Sequence, residues 1–282
     1  MPPTTSSRAL TLQKITAMVY GPPDRSKTFS SLTLSDRCPA DLTHVRPKTV
    51  PQPPRNPVDL DDMLWFQMDD GATTGMAEQG ISVPVIDISG VAAQQLPQEL
   101  ADGVRQAKER SVELTKAGRR LKVVIDTVSA LDRKLQYYVG EVLGLTEFNY
   151  FRALLQHHTR FAHPFKEIGC DFIALCHAKA IMDLGTGTAG QQQKRRLAAA
   201  GAGDIIPDIT GQALGFYRGD VTFTFAMHRK TETHTVQGKP QALHAYYFRA
   251  ADPTFEAKTR MILPPEMPAD WRVVRRLVGG GQ

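Results

Sequence analysis

Gly21, Lys27 and Thr28 fall within one short stretch, YGPPDRSKT at 20–28, at a spacing from which a chain can hold a triphosphate. In the pattern Gly-x-x-x-x-Gly-Lys-[Ser/Thr], backbone N–H groups cradle the phosphates, the lysine reaches the β and γ phosphates, and the hydroxyl holds Mg²⁺. Here Ser26 replaces the second glycine, and Asp24 and Arg25 put charges into the loop. If position 26 needs a positive φ, a non-glycine residue there costs roughly 1–2 kcal/mol, about a tenfold loss of affinity or somewhat more. A carboxylate at 24 repels a triphosphate unless it turns outward or pairs with Arg25. Phosphate binding is therefore expected, and hydrolysis hangs on Ser26.

Three further places carry the residue types that such a site needs. VVID at 123–126 is an apolar run ending in an acid, the form of the strand whose carboxylate holds the Mg²⁺ water shell. LWFQMDDG at 64–71 places Asp69 and Asp70 after another apolar run, where one of them could polarise an attacking water; a plain polar turn is the alternative. His177 closes the run DFIALCH and is open to two roles, a phosphate sensor or a satisfied histidine at a strand end. Each signal is weak alone. Their order, with an acid-ended run between the loop and Asp126, is much harder to obtain by accident.

The elements that would position these residues alternate. Residues 15–20 form an apolar run ending at a glycine, expected to be a buried parallel strand feeding a helix after Lys27. The proline-rich segment 38–57 predicts a loop, and 64–71 a second strand. Residues 81–88, ISVPVIDI, predict a third strand, which Pro84 places at an edge. A helix over 96–117 leads to a buried strand over 121–131, then helices over 131–143 and 147–168, then a strand at 170–178. This rhythm predicts an α/β fold with a mainly parallel sheet whose ligands sit at the strand carboxyl ends. Small, polar and basic residues over 180–208 predict a loop, and VTFTFAMHRK with ALHAYYFRA predicts an antiparallel hairpin turning at Gly238-Lys239-Pro240. Residues 1–13 read as an extension and 264–282 as a tail, leaving one domain over 14–263.

Composition narrows the classes. At 282 residues and 41% hydrophobic content the chain can bury one substantial core, and its net charge of +5 suits an anionic partner without selecting one. Three scattered cysteines, Cys38, Cys170 and Cys176, favour a reducing interior over a disulfide framework. The DFIAL segment between Cys170 and Cys176 reads as strand and argues against a zinc knuckle. No apolar run approaches the ~20 residues of a membrane span, so a cytoplasmic protein with no membrane partner is expected.

With these motifs in order, the chain resembles the RecA-like P-loop ATPases, and most closely the phage nucleotide-binding ATPases that accompany single-strand annealing recombinases. The resemblance rests on VYGPPDRSKT, LWFQMDDG, LKVVIDTVSAL, DFIALCHAK, PDITGQALGFYRGDV and FRAADPTFEAKTR. It implies a RecA-like core with ATP and Mg²⁺ as cofactors. Gly21, Ser26, Lys27 and Thr28 would bind nucleotide, Thr28 and Asp126 the metal, Asp69 or Asp70 the attacking water, and His177 the γ-phosphate. The family more often places a glutamate where Asp69 and Asp70 stand. The resemblance also implies that Lys258 and Arg260 reach the γ-phosphate held by a neighbouring subunit, so that the site is completed in a homo-oligomer. The loop over 180–208 would correspond to a DNA-binding loop, with Lys194, Arg195 and Arg196 meeting the phosphates of single-stranded DNA; it lacks aromatics, and a solvated charge run is the alternative.

Two functions from different classes fit this pattern. One is an ATP-driven motor or switch of phage or mobile-element recombination, working in the cytoplasm of the host with a recombinase. The other is a RecA-like scaffold that has lost efficient hydrolysis and serves as a structural or assembly protein, within a phage particle for example.

Overall fold

The computed structural model describes residues 14–22, 26–46, 56–180, 191, 205–236, 238–250, 258–259 and 261–279. Apolar runs bounded by turns give the strands β1 (Thr16–Gly21), β2 (Val45–Arg46), β3 (Val58–Asp59), β4 (Met63–Gln67), β5 (Ile81–Ser82), β6 (Val85–Asp87), β7 (Lys122–Asp126) and β8 (Asp171–Ala180). After these come β9 (Ile205–Pro207), β10 (Phe223–Val236), β11 (Lys239–Arg249), β12 (Lys258–Thr259) and β13 (Glu266–Pro268). The helices are α1 (Ser26–Leu32), α2 (Ala72–Glu78), α3 (Leu96–Lys116), α4 (Val128–Tyr137), α5 (Glu147–Ala162), α6 (Pro164–Glu167), α7 (Gly211–Asp220) and α8 (Trp271–Val278).

The central sheet runs β13-β11-β10-β1-β8-β7-β4-β6. From β10 to β6 every pairing is parallel, with Gly21 opposite His177, and Asp126 opposite both Leu175 and Gln67. Successive side chains of a strand face opposite ways, and the two faces feed separate cores. Met18, Phe66, Val123, Ile125 and Ala174 pack under α3, α4, α5 and α7. Val19, Trp65, Val124 and Ile173 pack against residues of α1, α2 and α8. β1 thus leads into a helix on one face, while its neighbour β8 leads towards α7 on the other. A sheet that splits its connections in this way opens a crevice at the carboxyl ends of those two strands.

Where the structure departs from the sequence expectation, local chemistry explains it. Pro84 divides the run over 81–88: β5 pairs with β3 in a small separate sheet, and β6 is the edge strand of the main one. Proline has no N–H to give a ladder, though its carbonyl still accepts from Trp65 N at 2.9 Å. The strand expected over 121–131 stops at Asp126, because the Thr127 side chain accepts from Ala130 N at 3.2 Å and caps α4. The expected tail after Pro264 carries β13 and α8 instead. Trp271, Val274 and Val278 recur at i, i+3 and i+7 and are buried, and Asp270 caps the helix through Arg272 N at 2.9 Å. The proline-rich loop supplies β2, paired with β11, and its residues 47–55 lie outside the described ones. Among the described residues no helix is long and apolar enough to cross a membrane.

The 21-residue α3 lies close on the sheet because of one glycine. A Cβ at Gly103 would meet Phe66 Cε1 at 2.6 Å, and that ring is held edge-on by Phe161 and Phe165 at centroid distances of 5.3 and 5.4 Å. Replacing Gly103 by Ala is expected to cost about 1–3 kcal/mol through overpacking, despite the better helix propensity of alanine. A urea midpoint equal to or above that of the wild type would contradict this.

Candidate functional site

β1 ends at Gly21, at the carboxyl edge of the sheet, and α1 begins at Ser26. Lys27 is only 2% exposed; its ammonium donates to Gly21 O at 3.1 Å and to Pro22 O. Thr28 follows on the same helix, and its Oγ1 donates to Asp126 Oδ2 at 2.8 Å, joining residues 98 apart in sequence. This contact brings the two halves of the expected metal site together. Ser26 is the first residue of α1 and therefore has right-handed helical backbone, so the positive-φ penalty expected for it does not arise. Glycine at 26 is expected to bring no gain in nucleotide affinity and to cost up to about 1 kcal/mol in helix stability. Tighter binding of an ATP analogue by Ser26→Gly would contradict that. Pro23, Asp24 and Arg25 lie outside the described residues.

Burial pushes the Asp126 carboxyl up to about 6; the Thr28 hydroxyl holds it down, and the nearby Asp69 carboxylate adds to the rise. A carboxylate so removed from water gains most from a cation. Asp126 and the Thr28 hydroxyl are hard oxygen donors, the kind Mg²⁺ takes in ones and twos while phosphates and waters complete its shell. Among the described residues no group of three or more His, Cys, Asp or Glu side chains could hold a metal by itself.

The pair Asp69-Asp70 separates in space. Met68 N donates to Asp126 O at 2.7 Å, which fixes the chain just before the pair against the end of β7. Asp69 Oδ2 accepts from Thr127 Oγ1 at 3.3 Å and lies 3.5 Å from His177 Nε2. Asp70 is exposed, and Gly71 follows at φ 104°, a conformation that L side chains rarely adopt. The turn thus delivers Asp69, not Asp70, to the cluster. His177 sits opposite Gly21 in the ladder, and its Nδ1 is buried with no hydrogen-bond partner among the described residues.

Of the other expected site residues, only the backbone of Lys258 is described. Lys258 lies on β12 opposite Thr224, which in turn stands opposite Met18, three residues short of Gly21. At ~3.3 Å per residue this sets its backbone about 10 Å below the carboxyl edge of its own chain. Arg260, Lys194, Arg195 and Arg196 lie outside the described residues, as does most of the loop expected over 180–208.

Two hydroxyls escape a search for charged residues: Thr127, which links Asp69 to the first turn of α4, and Ser129, which accepts from His177 N at 2.9 Å. The Asp-Thr-x-Ser spacing after an apolar run is a capping signal that could have exposed them. Cys176, next to His177, and Cys170, at the opposite edge of the sheet, are inert by position, burial pushing each up to about 12. Comparison with known proteins finds no family model and no curated protein that matches this chain.

Proposed function

We propose that this chain is a RecA-like P-loop ATPase that binds ATP with Mg²⁺ in the crevice beyond β1 and β8. Nucleotide binding would drive assembly of a homo-oligomer on single-stranded DNA, in recombination of a phage or mobile element. The observation that carries the reading is the Thr28–Asp126 contact at 2.8 Å beside the buried Lys27, with Asp69 and His177 across the same edge. Four separate segments supply these groups, which packing alone does not require.

In this reading the Lys27 ammonium leaves the loop carbonyls and neutralises the β and γ phosphates. Thr28 and Asp126 would hold Mg²⁺, which would supply positive charge against the phosphates. Asp69, oriented by Thr127 and His177, accepts a proton from the attacking water. His177 Nδ1, which has no hydrogen-bond partner among the described residues, meets the γ-phosphate or a water bound to it. Lys258 and Arg260 act on the site of the neighbouring subunit, and Lys194, Arg195 and Arg196 meet DNA phosphates. ATP turnover measured with and without single-stranded DNA tests the proposal. DNA-stimulated release of phosphate that vanishes in Lys27→Ala supports it, and turnover that survives Lys27→Ala would overturn it.

One observation favours the second reading, a non-catalytic scaffold. The Lys27 ammonium donates to the carbonyls of Gly21 and Pro22, so its charge has partners within its own chain. Ordered oligomers that form without ATP or DNA would support that role.

A further inference from the structure

The main chain of His177 is held on both sides. Its N–H donates to Ser129 Oγ on α4 at 2.9 Å, and its carbonyl accepts from Asp208 N at 2.8 Å. Asp208 follows β9, which pairs with the end of β8 from Ala178 to Ala180, and its carboxylate lies 3.2 Å from Lys179 and 3.7 Å from Arg133. Two residues further, Thr210 returns the chain to α4. Its N–H donates to Asp132 Oδ2 at 2.9 Å and its hydroxyl to Asp132 Oδ1 at 3.2 Å. Ser129 and Asp132 are three apart on one helix and so share a face. The contacts close a ring from α4 through His177, Asp208 and Thr210 back to α4.

Asp132 fastens this ring. It is 2% exposed, and besides Thr210 it accepts from Gln136 Nε2 at 2.8 Å and contacts His158 Nε2 at 2.8 Å. Burial alone would raise its carboxyl, but His158 and Thr210 outweigh that and hold it below the usual range. His158 is wholly buried on α5, and its Nδ1 lies 3.3 Å from the Tyr217 hydroxyl on α7. Filling space does not call for these groups, since apolar side chains of like volume often replace a buried polar pair without loss of stability. What the pair adds is a directed hold on the main chain at Thr210, and through it on Asp208 and His177.

We infer that Asp132 and His158 are positioning residues that link the nucleotide site to Ile205–Thr210 and α7, so that a shift of His177 against bound phosphate is carried into that segment. The inference rests on the nucleotide reading above and goes beyond it by naming the route out of the site. No role in touching nucleotide is assigned to either residue.

Hydrogen exchange of the full chain, with and without Mg²⁺ and a slowly hydrolysed ATP analogue, separates the possibilities. In the wild type the analogue is expected to slow exchange both in α1 and over 205–217. In His158→Leu, and in the nearly isosteric Asp132→Asn should that variant fold poorly, α1 still responds while the response over 205–217 is lost. His158→Gln, whose amide can donate to Asp132, is expected to keep it. A response over 205–217 that survives both Asp132→Asn and His158→Leu overturns the inference, as does its absence from the wild type while α1 responds. If α1 itself does not respond in the wild type, the nucleotide reading falls and the inference falls with it.

Discussion

Asp69→Asn is expected to lower kcat for ATP hydrolysis by about 10²- to 10⁴-fold, the usual contribution of a positioned general base, whereas Asp70→Asn stays within about twofold of the wild type. The contrast follows from the turn. Asp69 is fixed by Thr127 at 3.3 Å beside His177, and Asp70 points to solvent ahead of Gly71. Asparagine keeps the shape and can still face Thr127, but it cannot take a proton from water. Nucleotide affinity should therefore change little in Asp69→Asn, since the loss is in the chemical step. Single-turnover kinetics at saturating ATP provide the check, and equal losses in the two variants would remove Asp69 from its role.

The second large effect lies at the opposite edge of the sheet. Lys122, at the start of β7, is wholly buried, and its ammonium meets the equally buried Asp62 at 2.7 Å and also Asp36. Asp62 further accepts from Ser35 Oγ and from Asp36 N at 3.0 Å, so the turn after α1 is pinned to the strand that carries Asp126. Burial would raise the Asp62 carboxyl, but the Lys122 and Ser35 hydrogen bonds prevail and hold it below the usual range. Lys122→Met strands that carboxylate in the core and is expected to cost about 3–5 kcal/mol of stability. Adding Asp62→Leu should recover part of the loss, because no lone buried charge is left. The sign with pH is set by the lowered carboxyl: its stabilisation is present above about pH 4 and is lost as pH falls through its folded value. Denaturant titrations of the single and double variants test this, and a single variant as stable as the wild type would contradict it.

The same network shows why a tail looked plausible in the sequence and is not one. Arg275 of α8 reaches Asp171 at 2.7 Å and Asp36 at 3.2 Å, and Trp271 N donates to Thr33 Oγ1 at 2.8 Å. A helix of eight residues has too few turns for its periodicity to stand out, and these partners lie far away in the chain. By contrast, the strands that hold Gly21, Asp126 and His177 were legible because a parallel strand buried on both faces is a continuous apolar run, whichever neighbours it takes. The hairpin of β10 and β11 was legible from its alternation. Asp69 could not be told from Asp70 in the sequence, since a turn decides which of two adjacent carboxylates faces inward. The ring through Asp132, His158 and Thr210 was invisible for a similar reason: its members are ordinary helix and loop residues until tertiary packing closes it.

Equilibrium titration of the chain with an ATP analogue, with and without Mg²⁺, tests the proposed nucleotide site most directly. Saturable binding that weakens without Mg²⁺ is expected, and Lys27→Ala should raise Kd by about ten- to a hundredfold, as loss of a charge-assisted hydrogen bond worth roughly 1.5–3 kcal/mol implies. No binding at millimolar analogue, or binding indifferent to both Mg²⁺ and Lys27, would contradict the account.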